Sequence, residues 1–213
     1  MKKNMKTITA VLFFGGIWGI VEATVGYVLH IIPGLSIYMT GAVLFPFAGL
    51  ILYKAYQVTN SKSSLLFVGV IAAAIKAFDF FLPFNNPFKI INPMLSIIME
   101  SIALVLVISL LKKEDFASKA SGLLIASVSW RLLYFAYMGI QFLTSGFVYL
   151  ETFSQYLQFF GIYALGSALL GMGFIYLDQW VRNSDTKLSK VNLNHPVFSA
   201  LSVIIAIALT ILL

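Results

Sequence analysis

Five ionisable residues lie inside apolar stretches of the chain that are long enough to cross a membrane. They are Glu22, Lys76, Asp79, Glu100 and Arg131. A charge in hydrocarbon is costly unless the side chain faces protein, water or a partner charge, so such residues are candidates for a functional site. Acidic and basic side chains together suit a polar or zwitterionic solute, whereas carboxylates alone can coordinate a cation.

The signs of these charges allow most of them to be neutralised by pairing. Lys76 and Asp79 are spaced i, i+3 and can pair within one helix. Arg131 is always charged, and we expect it to lie within about 4 Å of a carboxylate from another helix, Glu22, Asp79 or Glu100. Buried pairs contribute little net stability, because desolvation offsets the attraction. The charges therefore favour a substrate-binding site, with a purely structural network as the alternative.

Three further polar residues are assigned to the same substrate-binding site. His30 lies near the end of the first apolar stretch, and Tyr134 and Gln141 share the apolar stretch that holds Arg131. No catalytic residue, metal ligand or cofactor is assigned. The chain has no cysteine and only two histidines, and it lacks a phosphate-binding Gly-Lys-Ser/Thr loop. We therefore do not expect an enzyme.

The first apolar stretch, residues 7–32, carries a stripe of small and polar residues at helical spacing. The stripe consists of Gly15, Gly19, Glu22, Gly26 and His30. Residues at this spacing share one face of a helix, and glycines on that face allow another helix to approach closely. The stripe is predicted either to pack against a helix, with its acid in a structural ion pair, or to line a polar site.

The composition identifies an integral membrane protein. Hydrophobic residues make up 60% of the 213 residues and charged residues only 10%, whereas soluble domains carry roughly 25% charged residues. The net charge of +6 is explained by basic cytoplasmic loops, so nucleic acid is not an expected partner. We predict an all-α, multi-pass bundle in the cell membrane, surrounded by the lipid bilayer and forming one transmembrane domain over residues 1–213.

Hydropathy predicts six to seven transmembrane helices. The apolar segments cover residues 7–32, 35–56, 65–82, 93–112, 120–143, 156–177 and 196–213. If the N-terminus is cytoplasmic, eleven of the 14 Lys and Arg residues fall on the cytoplasmic side, as the positive-inside rule requires. The five intramembrane charges then all lie between the mid-plane and the outer face. A shared layer of this kind predicts a pocket that opens to the outside.

This arrangement resembles the substrate-binding S component of an energy-coupling factor (ECF) micronutrient transporter. The resemblance covers residues 7–177 and rests on chain size, about six packed helices, an outward-facing intramembrane site and the absence of an ATPase motif. Members of that family dock a transmembrane coupling subunit through a small-x-x-x-small motif, which Gly15 and Gly19 match loosely. Family members usually have six spans, whereas a seventh span here would place the C-terminus outside.

The resemblance implies capture of a small polar solute from outside, with cytoplasmic ATPases driving its release. A second candidate function is a cation or metal permease that uses Glu22, Asp79, Glu100 and His30 as ligands. A third is an intramembrane enzyme that acts on lipid with one of the acids as general base. The sequence does not identify the substrate.

Overall fold

The computed structural model describes residues 2–32, 37–83, 86–183 and 196–213, and within these residues all regular structure is helical. The side chains of residues 2–4, 30, 37 and 38 lie outside the description. The helices are α1 (Lys2–Val21), α2 (Tyr27–Ile31), α3 (Ile37–Thr59), α4 (Lys62–Lys76), α5 (Phe88–Leu111), α6 (Phe116–Ser145), α7 (Phe153–Leu157), α8 (Tyr163–Asn183) and α9 (Pro196–Leu212). Wider π-helical turns join α1 to α2 at Glu22–Gly26 and α7 to α8 at Gln158–Ile162, and a 3-10 turn, Ala77–Phe81, extends α4.

Six helical stretches within the described residues are long and apolar enough to cross a membrane. They are Met5–Leu29, Met39–Thr59, Lys62–Phe81, Phe88–Leu111, Phe116–Ser145 and Phe153–Asn183. The prediction of an all-α, multi-pass helical bundle is therefore confirmed. The last helix, α9, has 17 residues, which corresponds to about 25 Å of helix.

Helix α6 extends beyond the apolar segment that predicts it, because a helix ends where its caps lie and not where its hydropathy falls. The fifth apolar segment was predicted over residues 120–143, but α6 begins at Phe116, where Asp115 accepts a hydrogen bond of 2.8 Å from the Ser118 N–H. It ends at Ser145 and is capped by Gly146, whose φ of 71° is left-handed. Capping signals refine these boundaries better than hydropathy does.

Helix α9 packs parallel to α1. The Ser199 hydroxyl donates to the Thr9 carbonyl (2.7 Å), and the Ser202 hydroxyl donates to the Phe13 carbonyl (3.3 Å). The residue numbers of the partners rise together along both helices, so the two helices run in the same direction. Helix α9 therefore enters from the same end of the bundle as α1 and ends beside the turn that holds Glu22.

The glycine stripe of α1 is covered by helices of the same chain. A side chain at Gly15 would meet Ile71 of α4, and one at Gly19 would meet Ile75 of α4 and Ala206 of α9. Gly26 faces Leu44 of α3 at a looser distance of 3.9 Å. The surface that the resemblance assigns to a coupling subunit is thus occupied by α4 and α9.

One end of the bundle, which we call the basic end, is stabilised by ion pairs. Lys54 of α3 lies 2.5 Å from Asp178 of α8, and Arg182 contacts the same carboxylate at 2.6 Å. Helix α1 begins at this end, and α3, α5 and α8 finish there. The other end, which holds the turn at Glu22–Gly26, is called the cavity end below.

A reporter fused after Lys113 is expected to read cytoplasmic, and one fused within residues 144–155 is expected to read external. Lys113 follows α5 at the basic end. Helix α6 then runs from the basic end to the cavity end, so residues 144–155 lie at the cavity end. Paired reporters, one active only inside the cell and one only outside, measure this. The same reading at both positions would contradict the seven-span map.

Candidate functional site

A cavity of about 560 Å³ lies at the cavity end of the bundle. Its wall includes residues from α3, α4, α5, α6 and α9 and from the turn after α1. Five of the predicted substrate-binding residues line it, together with the predicted packing residue Gly26. The five are Glu22, Lys76, Asp79, Glu100 and Tyr134.

Glu22 is the first residue of the π-helical turn between α1 and α2. Its carboxylate accepts a hydrogen bond of 3.1 Å from the Trp18 indole N–H, one turn earlier. A π-helical turn widens the helix locally and is frequent at functional sites. Trp18 is fully buried, so its indole holds Glu22 at the edge of the cavity while Gly26 keeps the wall open.

Glu100 is the most deeply buried acid of the cavity wall, with 2% of its surface exposed. The Ser96 hydroxyl donates a hydrogen bond of 3.3 Å to Glu100 Oε1. The second carboxylate oxygen, Oε2, has no hydrogen-bond partner among the described residues. A buried carboxylate oxygen without a donor is costly. Glu100 therefore has an unused acceptor beside a cavity.

Lys76 and Asp79 form the ion pair that their spacing predicts. Lys76 Nζ lies 2.6 Å from Asp79 Oδ2. Lys76 is the last residue of α4 and Asp79 lies in the 3-10 turn that follows, so the tighter turn brings the two side chains together. The cavity wall therefore contains one acid and one base whose charges neutralise each other.

Arg131 does not form the predicted ion pair with Glu22, Asp79 or Glu100. Among the described residues no carboxylate oxygen lies within 4 Å of its guanidinium. Nη1 instead donates to the Ser127 carbonyl (2.8 Å) and hydroxyl (2.6 Å), and Nη2 donates to the Tyr163 carbonyl (3.0 Å) and the Ser167 hydroxyl (2.9 Å). Arg131 is fully buried and joins α6 to α8. It does not line the cavity.

The remaining predicted residues differ in where they lie. Tyr134 is buried in the wall, with ring centroids 6.2 Å from Trp130 and 5.4 Å from Tyr149. Gln141 is buried further along α6, does not line the cavity, and its side-chain oxygen has no partner among the described residues. The backbone of His30 is helical, but its side chain lies outside the described residues.

Sequence reasoning missed the polar partners that hold the buried charges. Trp18 precedes Glu22 by four residues, Ser96 precedes Glu100 by four, and Ser127 precedes Arg131 by four. This is the spacing at which helical side chains meet. Trp130 was also missed: it lines the cavity, and its indole N–H has no acceptor among the described residues. A search for polar side chains four residues before each buried charge would have found the first three.

The described residues contain no group of three or more His, Asp or Glu side chains arranged to hold a metal ion. Comparison of the chain with known protein families, characterised proteins and solved structures gives no match.

Proposed function

We propose that this chain is a membrane transport protein that binds a small polar solute in the cavity from the extracellular side. The observation that carries the proposal is the buried carboxylate of Glu100, which keeps one oxygen without a donor beside a cavity of about 560 Å³. Ligand sites are typically concavities of about 300 to 1,000 Å³ with a few convergent polar groups in an apolar wall. Intramembrane acids usually mark such solute pathways.

The lining of the cavity supports a specific solute site over a packing defect. Charged groups converge on it from three separate elements, namely Glu22 after α1, Lys76 and Asp79 at the end of α4, and Glu100 on α5. A packing defect in a helical bundle is lined by apolar side chains. The charged groups instead provide the hydrogen bonds that fix a polar solute in one orientation.

We further propose that the chain acts as the substrate-specific subunit of an ECF-type uptake system. The basic end, where Lys54, Lys112 and Arg182 lie, is the expected cytoplasmic face. An intramembrane partner would have to dock elsewhere than on the stripe of Gly15 and Gly19, since α4 and α9 cover it. The chain carries no phosphate-binding loop, so energy would come from a separate ATPase.

Purified protein is expected to retain a small organic molecule that mass spectrometry of the extract identifies. Glu100→Gln keeps the side-chain volume and removes the charge, so its occupancy should fall about tenfold or more. Glu114→Gln is the matched control, because the Glu114 side chain is 96% exposed at the basic end and its contact with Lys119 Nζ, 3.6 Å away, lies outside the cavity. Equal occupancy in both variants would contradict the role of Glu100.

The same preparations distinguish a carrier subunit from a cation permease. Liposomes that contain only this chain are expected to show no cation flux above empty liposomes, because a substrate-specific subunit needs its ATPase partner to release solute. Flux that Glu22→Gln abolishes and Glu114→Gln preserves would contradict the proposed function and favour the permease.

A further inference from the structure

We infer that the solute carries a positively charged nitrogen, an organic amine or ammonium group, that binds between Glu22 and Glu100. This inference rests on the proposed function and names the class of its substrate. It follows from the charges that line the cavity and from the position of Arg131, which sequence reasoning had placed in the site.

The cavity wall has an excess of carboxylate once contacts are taken into account. The charged side chains that line it are Glu22, Lys76, Asp79, Lys89 and Glu100. Lys76 and Asp79 neutralise one another at 2.6 Å, and Lys89 is exposed to solvent. Among the described residues, no cationic nitrogen lies within 4 Å of Glu22 or Glu100. Two acids therefore remain without a contacting counter-charge.

The two acids share one cavity, in which Glu22 lies in the turn after α1 and Glu100 lies on α5. Two carboxylates that share a poorly solvated site are stabilised by a cation between them. An ammonium group supplies the charge and also the N–H donors that Glu100 Oε2 lacks.

The wall favours an organic cation over a metal ion. The third acid, Asp79, is held by Lys76, so the described residues offer no cluster of three ligands for a metal. Most of the remaining wall is apolar or aromatic, including Leu44, Trp130 and Tyr134. A divalent ion prefers six or more oxygen ligands. The cavity instead suits an amine attached to a hydrophobic body.

An anionic solute is disfavoured by the direction of Arg131. Its two terminal nitrogens are fully used by Ser127, Tyr163 and Ser167, on the side of the helix that packs against α8. A carboxylate or phosphate in the cavity would meet Glu22 and Glu100 without a guanidinium to bind it.

Tryptophan fluorescence provides a direct test, because two of the three tryptophans lie at the site. Trp18 donates to Glu22 and Trp130 lines the cavity, whereas Trp180 is exposed near the basic end. In a Trp180→Phe background, the remaining signal reports on the cavity. The probes are two matched series: phenethylamine, phenethyl alcohol and hydrocinnamate, and their larger relatives diphenylpropylamine, diphenylpropanol and diphenylpropionate.

The amines are expected to bind at least about tenfold more tightly than the matching alcohols and carboxylates, which corresponds to one charge-assisted hydrogen bond. Glu100→Gln and Glu22→Gln should each remove most of this preference, and Glu114→Gln should preserve it. Thermal unfolding of every variant checks the fold. If Glu100→Gln does not fold, Glu22→Gln provides the same comparison.

The outcomes separate this inference from the function on which it rests. Binding of alcohols or carboxylates as tightly as amines would overturn the inference and leave a solute site in place. Amine binding that persists unchanged in both glutamine variants would overturn it as well. Absence of binding by every probe, together with an extract that contains no small molecule, would overturn both the inference and the proposed function.

Discussion

Replacement of Arg131 by alanine is expected to lower the free energy of unfolding by about 3 kcal/mol. Four hydrogen bonds disappear with the guanidinium, and the Ser127, Tyr163 and Ser167 oxygens each lose a donor. Hydrogen bonds to charged groups contribute about 1.5 to 3 kcal/mol each, although bonds between membrane helices average nearer 0.6 kcal/mol. Loss of the stacking of Arg131 on Trp130, 4.6 Å from the ring centroid, adds to the effect.

Arg182→Ala is the matched control for this prediction. Arg182 also contacts another helix, through Gln57 of α3, but it is 41% exposed, and exposed ion pairs contribute only about 0 to 1 kcal/mol. Denaturant unfolding in detergent, followed by circular dichroism, measures both variants. Equal losses for Arg131→Ala and Arg182→Ala would contradict the structural role of Arg131. A loss of solute binding in folded Arg131→Ala as large as that in Glu100→Gln would place Arg131 back in the site.

The case of Arg131 shows where sequence reasoning stops. A buried arginine needs acceptors, and the sequence offers carboxylates on three other helical segments. It gives no means of knowing that Arg131 faces α8, which presents the Tyr163 carbonyl and the Ser167 hydroxyl. Backbone carbonyls carry no sequence signal. The choice between a carboxylate and a set of neutral oxygens therefore depends on helix packing.

The grouping of these charges in one place was easier to predict than their partners. Hydropathy fixes where each apolar segment begins and ends, and alternating helix directions then fix which charges share a layer. Glu22, Lys76, Asp79 and Glu100 indeed line one cavity. The pair formed by Lys76 and Asp79 was also predictable, because both residues belong to one helical segment and their contact needs no tertiary information.

Helix α9 is the part of the fold that the sequence left most open. Its apolar pattern predicts a helix, but its neighbour depends on small residues far away in the chain. Gly16 of α1 meets the backbone of α9 at Ser202 and Val203, and hydroxyls of α9 bond to carbonyls of α1. Gly16 was not part of the predicted stripe of Gly15 and Gly19. The glycine next to the stripe thus forms a second contact of α1, with the backbone of α9.

Gly16→Leu is expected to separate α9 from α1. A Cβ atom at this position would lie 2.7 Å from the Ser202 backbone carbon and 2.7 Å from the Val203 nitrogen, and backbone atoms cannot move aside as a flexible side chain can. Overpacking of this kind typically costs about 1 to 3 kcal/mol. Small residues that let helix backbones approach closely also favour association between helices in a membrane. Helix α9 is therefore expected to move away from α1 more easily than the core helices move apart.

A cross-link between the two helices measures this separation. The chain has no native cysteine, so Thr9→Cys with Ser199→Cys gives one defined pair, and the Ser199 hydroxyl already lies 2.7 Å from the Thr9 carbonyl. A short thiol-reactive reagent should join the pair efficiently in the parent protein and at least about tenfold more slowly with Gly16→Leu, as expected for a loss of about 1.4 kcal/mol in helix contact. Gly173→Leu is the control, because a side chain there meets nothing within 4 Å and gains the same helix propensity. Unchanged cross-linking with Gly16→Leu would show that α9 does not pack on α1 through Gly16.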